Sequence, residues 1–283
     1  MTTDGLLAVH TYRVGPIAQV PLVLLHGFPV DHRMWDDVVD LLLGTRTVIA
    51  LDLPGLGGSP SGEDVADALR VSGEPSLRVS GEPSLDTSAD AVAATLRAAG
   101  VRRAVVAGLS MGGYVAMALV ERHPDLVAGL GLLDTKSTAD DDAARANRQR
   151  VADTVLADDH LEAVLGMRRA LLGETSRELR PDLAERLERW IRDQGPAGVA
   201  WSQRAMAARP DRTAVLAGFA GPALVLVGAE DEATPLAAAR HLEAALPAAE
   251  LVVVAAAGHM TTIENPEPVA AALDALALRV DEL

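Results

Sequence analysis

The chain has 283 residues, 49% of them hydrophobic, with a formal net charge of −15 and no cysteine. Its length and apolar content suit one large α/β domain, and the lack of cysteine excludes disulfides, thiolate metal sites and a cysteine nucleophile. The negative charge opposes nucleic acid and anionic membrane surfaces, so the expected partner is a small molecule; the oligomeric state is left open.

The first residues, "MTTDGLLAVHTYRVG", lack the basic segment and apolar core of a signal peptide. No apolar run approaches the length of about 20 residues that spans a bilayer, so a cytoplasmic location is expected. "LLAVHTYRVG" alternates in polarity and predicts an antiparallel edge strand. "PLVLLHG", "TVIALD", "AVVAGLS", "AGLGLLD", "PALVLVG" and "ELVVVAAAG" are short apolar runs, as expected of strands buried on both faces. Helical stretches lie between several of them. One is "LDTSADAVAATLRAAG", with Ser84 or Asp86 placed to cap its start and Gly100 to end it. Alternation of this kind predicts a parallel sheet with helices on its faces. From about Thr138 to Ala208 the pattern is all helical, which reads as an insertion.

Residues 69–86, "LRVSGEPSLRVSGEPSLD", hold one eight-residue phrase twice. The phrase occurs nowhere else, which excludes a solenoid. It is expected to form an exposed, mobile loop between "LDLPGLGGS" and the next helix. A tolerated tandem duplication is favoured over a functional flap, because eight extra residues add little closure entropy.

In a parallel sheet, ligands bind beyond the C-terminal strand ends. After "AVVA" comes "GLSMGG", where Gly108, Ser110 and Gly112 form G-x-S-x-G. A strand turning abruptly into a helix exposes the Ser110 hydroxyl, and side chains at 108 and 112 would collide. After "PLVLL" comes "HGFP". The N–H groups of Phe28 and Met111 are the expected oxyanion donors. Asp231 follows "PALVLVG" and is the candidate acid, with Asp134 in reserve; Glu230 and Glu232 are expected in solvent. His259 follows "ELVVVAAAG" and is the candidate base, since an imidazole exchanges protons near neutrality. Of the other histidines, His26 is expected to be structural, and His10, His123, His160 and His241 to be surface or packing residues. His32 is placed at the pocket mouth or on the surface.

The order Ser110, Asp231, His259, together with "HGFP", "LDLPGLGGS", "GLSMGG", "GAEDEATP" and "GHMTTIENP", resembles the α/β-hydrolase superfamily almost end to end. The motifs look most like small carboxylesterases, enol-lactonases and cofactor-free haloperoxidase-like perhydrolases. The resemblance implies a mostly parallel eight-stranded sheet with helices on both faces and a helical cap inserted after strand 6. The core would comprise residues 1–135 and 210–283, and the cap residues 136–209. It further implies ester or lactone hydrolysis through an acyl-enzyme, with no metal and no cofactor. The alternatives are perhydrolysis, C–C cleavage or cyclisation by the same triad, or a non-catalytic binding protein. Trp201, Met206 and Met260 are pocket candidates, although Trp201 and Met206 equally suit packing. Arg145, Arg148, Arg168 and Arg169 are expected on charged helix faces; one turned inward would imply a carboxylate-bearing substrate.

Overall fold

The structure is a computed structural model that describes residues 6–72 and 82–283. Its strands are β1 (Val9–Arg13), β2 (Leu22–Leu25), β3 (Val48–Leu51), β4 (Ala104–Leu109), β5 (Val127–Leu133), β6 (Ala223–Gly228) and β7 (Ala249–Val254). They form one sheet in the order β1-β3-β2-β4-β5-β6-β7. β1 runs antiparallel to β3, with Val9 opposite Leu51, as its alternating pattern predicts. All other neighbours are parallel. Every residue of β2 through β6 is buried. Successive side chains point to opposite faces, so both faces of the sheet must be covered. The helix Met111–Arg122 packs on β2, β4 and β5, and the helix Pro266–Asp281 packs on β4 to β7.

The eight-stranded expectation is corrected to seven strands among the described residues. A parallel strand covered on both faces needs a continuous apolar run; the six apolar runs and the one alternating segment account for the seven strands. The eighth belonged to the resemblance and not to these residues. The helical insertion therefore follows the fifth strand and not the sixth. Its longer helices are Asp142–Asp158, Pro181–Arg192 and Pro196–Ala207. The first is capped by Asp141, whose side chain accepts the Ala144 N–H at 2.8 Å. No helix of the described residues is long and apolar enough to cross a membrane.

The sheet order reverses at β2. The chain passes from β2 to β3 on one side and then to β4 on the other, leaving a crevice beyond the ends of β2 and β4. Leu25 and Gly108 are paired at those ends. The residues that follow them, from His26 and from Ser110, thus emerge side by side.

The doubled phrase also needs correction, because its first four residues are not loop. Leu69–Ser72 end a helix that begins at Gly62. The signal lay upstream. The Ser61 hydroxyl accepts the Asp64 N–H at 3.1 Å, an N-terminal cap, and Val65, Ala66 and Leu69 form the buried stripe. At the other end, Ser84 caps the helix Leu85–Ala98 by accepting the Asp86 N–H at 3.1 Å. The expected mobile loop falls on residues 73–81, outside the described residues. The first half of one copy thus closes a helix, and the last residue of the other copy opens the next. A single copy contains both pieces, and deleting either copy leaves the same sequence. Arg70 and Glu82–Pro83 line a common cavity, so the two helix ends lie close together. Deleting Leu69–Ser76 should shift Tm by about 4 °C or less, as shortening a loop by eight residues changes closure entropy little. Loss of a cooperative thermal transition would contradict this reading.

Candidate active site

Ser110 sits between β4 and the helix Met111–Arg122 with φ +53° and ψ −111°, a conformation rarely adopted by a residue with a side chain. Its N–H donates to the Leu133 carbonyl at 2.9 Å, and the Thr135 hydroxyl donates to its carbonyl at 2.8 Å. The close quarters explain the flanking glycines. A Cβ on Gly108 would lie 2.2 Å from the Gly112 carbonyl, and one on Gly112 would lie 2.2 Å from the Leu25 carbonyl oxygen. The helix start is thus pressed against the end of β2, and Ser110 is held half-exposed between them.

The loop after β7 brings His259 to Asp231, on the loop after β6. His259 Nδ1 lies 2.8 Å from Asp231 Oδ2. The same carboxylate accepts the Thr234 hydroxyl at 2.6 Å and the N–H groups of Ala233 and Thr234 at 2.8 and 2.9 Å. Burial alone would raise the Asp231 pKa, but the His259 bond and charge and the Thr234 bonds outweigh it, and the carboxyl stays ionised. For His259, burial favours the neutral ring, yet the Asp231 bond and charge prevail and its pKa is raised above 6.5. His259 is thereby oriented with Nδ1 toward the acid and its other ring nitrogen left for a second partner.

Ser110 and His259 line the same cavity, of about 140 Å³. Phe28, Tyr114, Lys136, Arg148, Met167, Leu171, Met206, Ala233 and Thr234 complete its wall. Met111 is buried and opens its helix, so its N–H is one of the first-turn donors without an intrahelical acceptor.

The chain and its fold have known relatives. A family profile described as the alpha/beta hydrolase fold matches residues 20–266. The chain belongs to the α/β-hydrolase fold family. It is 30% identical over 268 residues to a pimeloyl-(acyl-carrier protein) methyl ester esterase of Neisseria meningitidis, covering 90% of this chain and 92% of that protein. A solved thermophilic esterase from Thermogutta terrifontis (malate bound) superposes with a TM-score of 0.85 at 32% identity, covering 97% and 94% of the two chains. The enol-lactonase from Burkholderia xenovorans LB400 shares the fold, with a TM-score of 0.78 at 22% identity over 96% and 97%.

Several sequence-based expectations for this α/β hydrolase change. Trp201 is buried but does not reach the Ser110 cavity; its indole packs on Gly62 and lines a neighbouring cavity with Ala66 and Pro83. Met260 is buried just before the helix Thr261–Glu264 and is not part of the wall. His32 is also absent from the wall. It stacks on His10 with ring centroids 3.3 Å apart, and both rings face Asp52, His32 Nδ1 and His10 Nε2 each at 2.9 Å. Among the described residues, these three form the one group with donor atoms close enough to share a cation. Asp52 is already engaged, since it also accepts the N–H groups of His32 and Gly58 at 2.9 and 2.8 Å, which secures the turn after β3. Glu230 is only half-exposed and accepts the Thr175 N–H at 2.9 Å; Glu232 is exposed.

Other expectations stand as geometry. His26 is fully buried, with Nδ1–H donating to the Gly27 carbonyl at 2.9 Å and Nε2 accepting the Leu53 N–H at 2.8 Å. Burial lowers its pKa, so it is a neutral brace. His123 is buried against Asp90 at 2.8 Å, while His160 and His241 are exposed. Arg145 pairs with Asp142 and Arg168 with Glu188, and Arg169 is exposed. Arg148 is the inward exception.

Two carboxyls escaped sequence reasoning. Glu264 accepts the N–H groups of Gly258 and Met260 at 2.9 and 3.0 Å, on either side of His259, and that of Gly173 in the insertion at 2.8 Å. The His259 N–H donates to the Leu171 carbonyl at 3.0 Å, so one acid and one backbone bond lock the histidine loop to the insertion. Its place in "GHMTTIENP", just after the histidine, was the available signal. The other is Asp140, which is buried and pairs with Arg148 at 2.6 Å and Arg209 at 2.7 Å.

Asp134, the reserve acid, is fully buried. It meets the Gly228 N–H at 2.9 Å and the Thr261 hydroxyl. Burial and the neighbouring Asp231 charge push its pKa well above the usual range, against the His259 charge and the Thr261 and Gly228 bonds, so its protonated form is favoured. Native Asp134 therefore binds its proton more tightly than the unfolded chain does. That contribution to stability is present at low pH and fades as pH rises toward its raised native pKa. Asp134→Asn should keep most catalytic activity and gain stability relative to the parent as pH is raised from 5 to about 8. A stability difference independent of pH would show that Asp134 is ionised in the fold.

Proposed function

We propose that the protein is a serine esterase that cleaves a carboxylic ester or lactone of a small molecule through an acyl-enzyme. The observation that carries this reading is the Ser110 elbow, opening on a cavity it shares with a histidine already oriented by Asp231. In this reading His259 Nε2 takes the Ser110 proton as Oγ attacks the carbonyl carbon. Asp231 stabilises the imidazolium without accepting its proton. The negative charge that develops on the carbonyl oxygen is met by the N–H groups of Phe28 and Met111. The proton on His259 then passes to the leaving alcohol. Water, deprotonated by the same histidine, releases the acid and restores Ser110.

We assign residues 136–209 the part of a cap over a core of residues 1–135 and 210–283. Met167, Leu171 and Met206 from this segment join Phe28 in an apolar wall over the serine. The small cavity suits short acyl or alcohol groups, compared with roughly 300–1,000 Å³ for sites that take drug-sized ligands. The similarity to an esterase at 32% identity supports ester cleavage as the reaction class.

Ser110→Ala should lower kcat for short p-nitrophenyl esters by about 10⁴-fold or more while leaving Tm close to the parent value. Undiminished turnover in this variant would refute the assignment. Catalysis needs neutral His259, so kcat/KM should fall on the acid side, with its midpoint displaced above 6.5 as the raised pKa requires. Asp231→Asn should move that midpoint down, because the largest interaction opposing burial is then lost. Activity independent of pH between about 5 and 8 would contradict a histidine base.

A further inference from the structure

The Ser110 cavity has a charged side that the reaction just described does not use. Lys136, two residues beyond Asp134, and Arg148, in the helix Asp142–Asp158, both contribute to its wall, and no carboxylate does. Both cations lean on Asp140, which is buried: Arg148 Nε at 2.6 Å and Lys136 Nζ at 3.3 Å. Asp140 is already taken by Arg209, whose two terminal nitrogens donate to it at 2.7 and 2.8 Å. Arg209 is itself buried and lies 4.1 Å over the ring of Tyr114. Burial raises the Asp140 pKa, but the Arg209 bonds and the Arg148 charge and bond overcome it, so this acid is ionised.

Three cations thus share one carboxylate. Counting ionised Asp231 on the far side of His259 still leaves an excess positive charge, in a chain whose net charge is −15. Arg148 Nη1 is fixed by Gln203 at 3.0 Å and by the Met206 sulfur at 3.4 Å, whereas its Nη2 has no acceptor among the described residues. Lys136 and Arg148 keep 29% and 22% of their side-chain surface exposed, and both line the cavity. Half-buried cations beside the apolar Phe28, Met167, Leu171 and Met206 are costly unless an anion completes them.

We propose that Lys136 and Arg148 form an anion subsite, and that the substrate is a short ester or lactone carrying a second, free carboxylate. This rests on the reading of Ser110 as nucleophile. The apolar wall takes the few carbons between the two groups, Arg148 Nη2 and Lys136 Nζ take the carboxylate, and the scissile carbonyl falls to Ser110. Asp140, itself held by Arg209, fixes the two cations in place. A phosphate-bearing or neutral substrate is less well matched: the former by the small cavity, the latter by the unsatisfied charge.

Two measurements separate this proposal from the esterase reading. The first compares kcat/KM for a p-nitrophenyl hemiglutarate with that for p-nitrophenyl butyrate. The parent should favour the charged ester by roughly tenfold or more, and the ratio should collapse toward one in Lys136→Met and in Arg148→Met and shrink with added salt. The second is calorimetric binding of glutarate and of its neutral diamide, which needs no turnover. Glutarate should bind and the diamide should not, with glutarate weakened by about tenfold in either variant. Equal use of the two esters by the parent, or a preference that survives both substitutions, overturns the subsite. Failure to cleave either ester while glutarate binds through Lys136 and Arg148 overturns the esterase reading and leaves the subsite standing.

Discussion

The turn from β4 into the helix Met111–Arg122 constrains everything around it. The helix must start within van der Waals contact of the end of β2, which leaves no room for a side chain at Gly108 or Gly112. That closeness forces Ser110 to positive φ and lifts its side chain out of the sheet. Such a conformation costs on the order of 1–3 kcal/mol and persists only when its surroundings enforce it. Here they do: β5 accepts the Ser110 N–H, Thr135 binds its carbonyl, and the buried strands on either side cannot move apart without opening the core.

The rest of the site is arranged around that fixed point by strand order. Because the chain leaves β2 in both directions, the segments after β2 and β4 emerge together, and those after β5, β6 and β7 follow in sequence along the same edge. Asp134, Asp231 and His259 stand on the last three. Two carboxyls close to one histidine raise the question of which carries charge. Their environments divide the roles. Asp231 is given four donors counting His259, which favours its ionised form; Asp134 is deeper, has fewer donors and faces Asp231, which favours its protonated form. Residue type does not distinguish them, but hydration and hydrogen bonding do.

Much of this was legible from residues alone. The five inner strands coincide with apolar runs, because a strand covered on both faces has to be apolar throughout, and the edge strand β1 coincides with the one alternating segment. G-x-S-x-G was readable for the steric reason now seen at Gly108 and Gly112. The choice of Asp231 over Asp134 came from its position after its strand, and the His259 pairing agrees with it. What could not be read was contact between distant segments. Trp201 and Met206 lie on one helix and both looked like wall residues, but helix rotation sends the first to Gly62 and the second to the cavity. Lys136 and Arg148 are near Asp140 in the chain, but nothing local marks Arg209, 69 positions away, as the partner that completes the cluster. The helix Gly62–Ser72 runs into the repeated phrase, so its only local signals are the Ser61 cap and the Val65, Ala66 and Leu69 stripe.

The central claim is that Ser110 is made nucleophilic by His259 in this particular geometry. The most direct measurement is reaction of the intact protein with a fluorophosphonate, followed by peptide mapping of the adduct. One adduct, on Ser110, formed much more slowly when His259 is replaced by alanine, is the result expected. No labelling, labelling at another residue, or a rate at Ser110 indifferent to His259 would contradict the account.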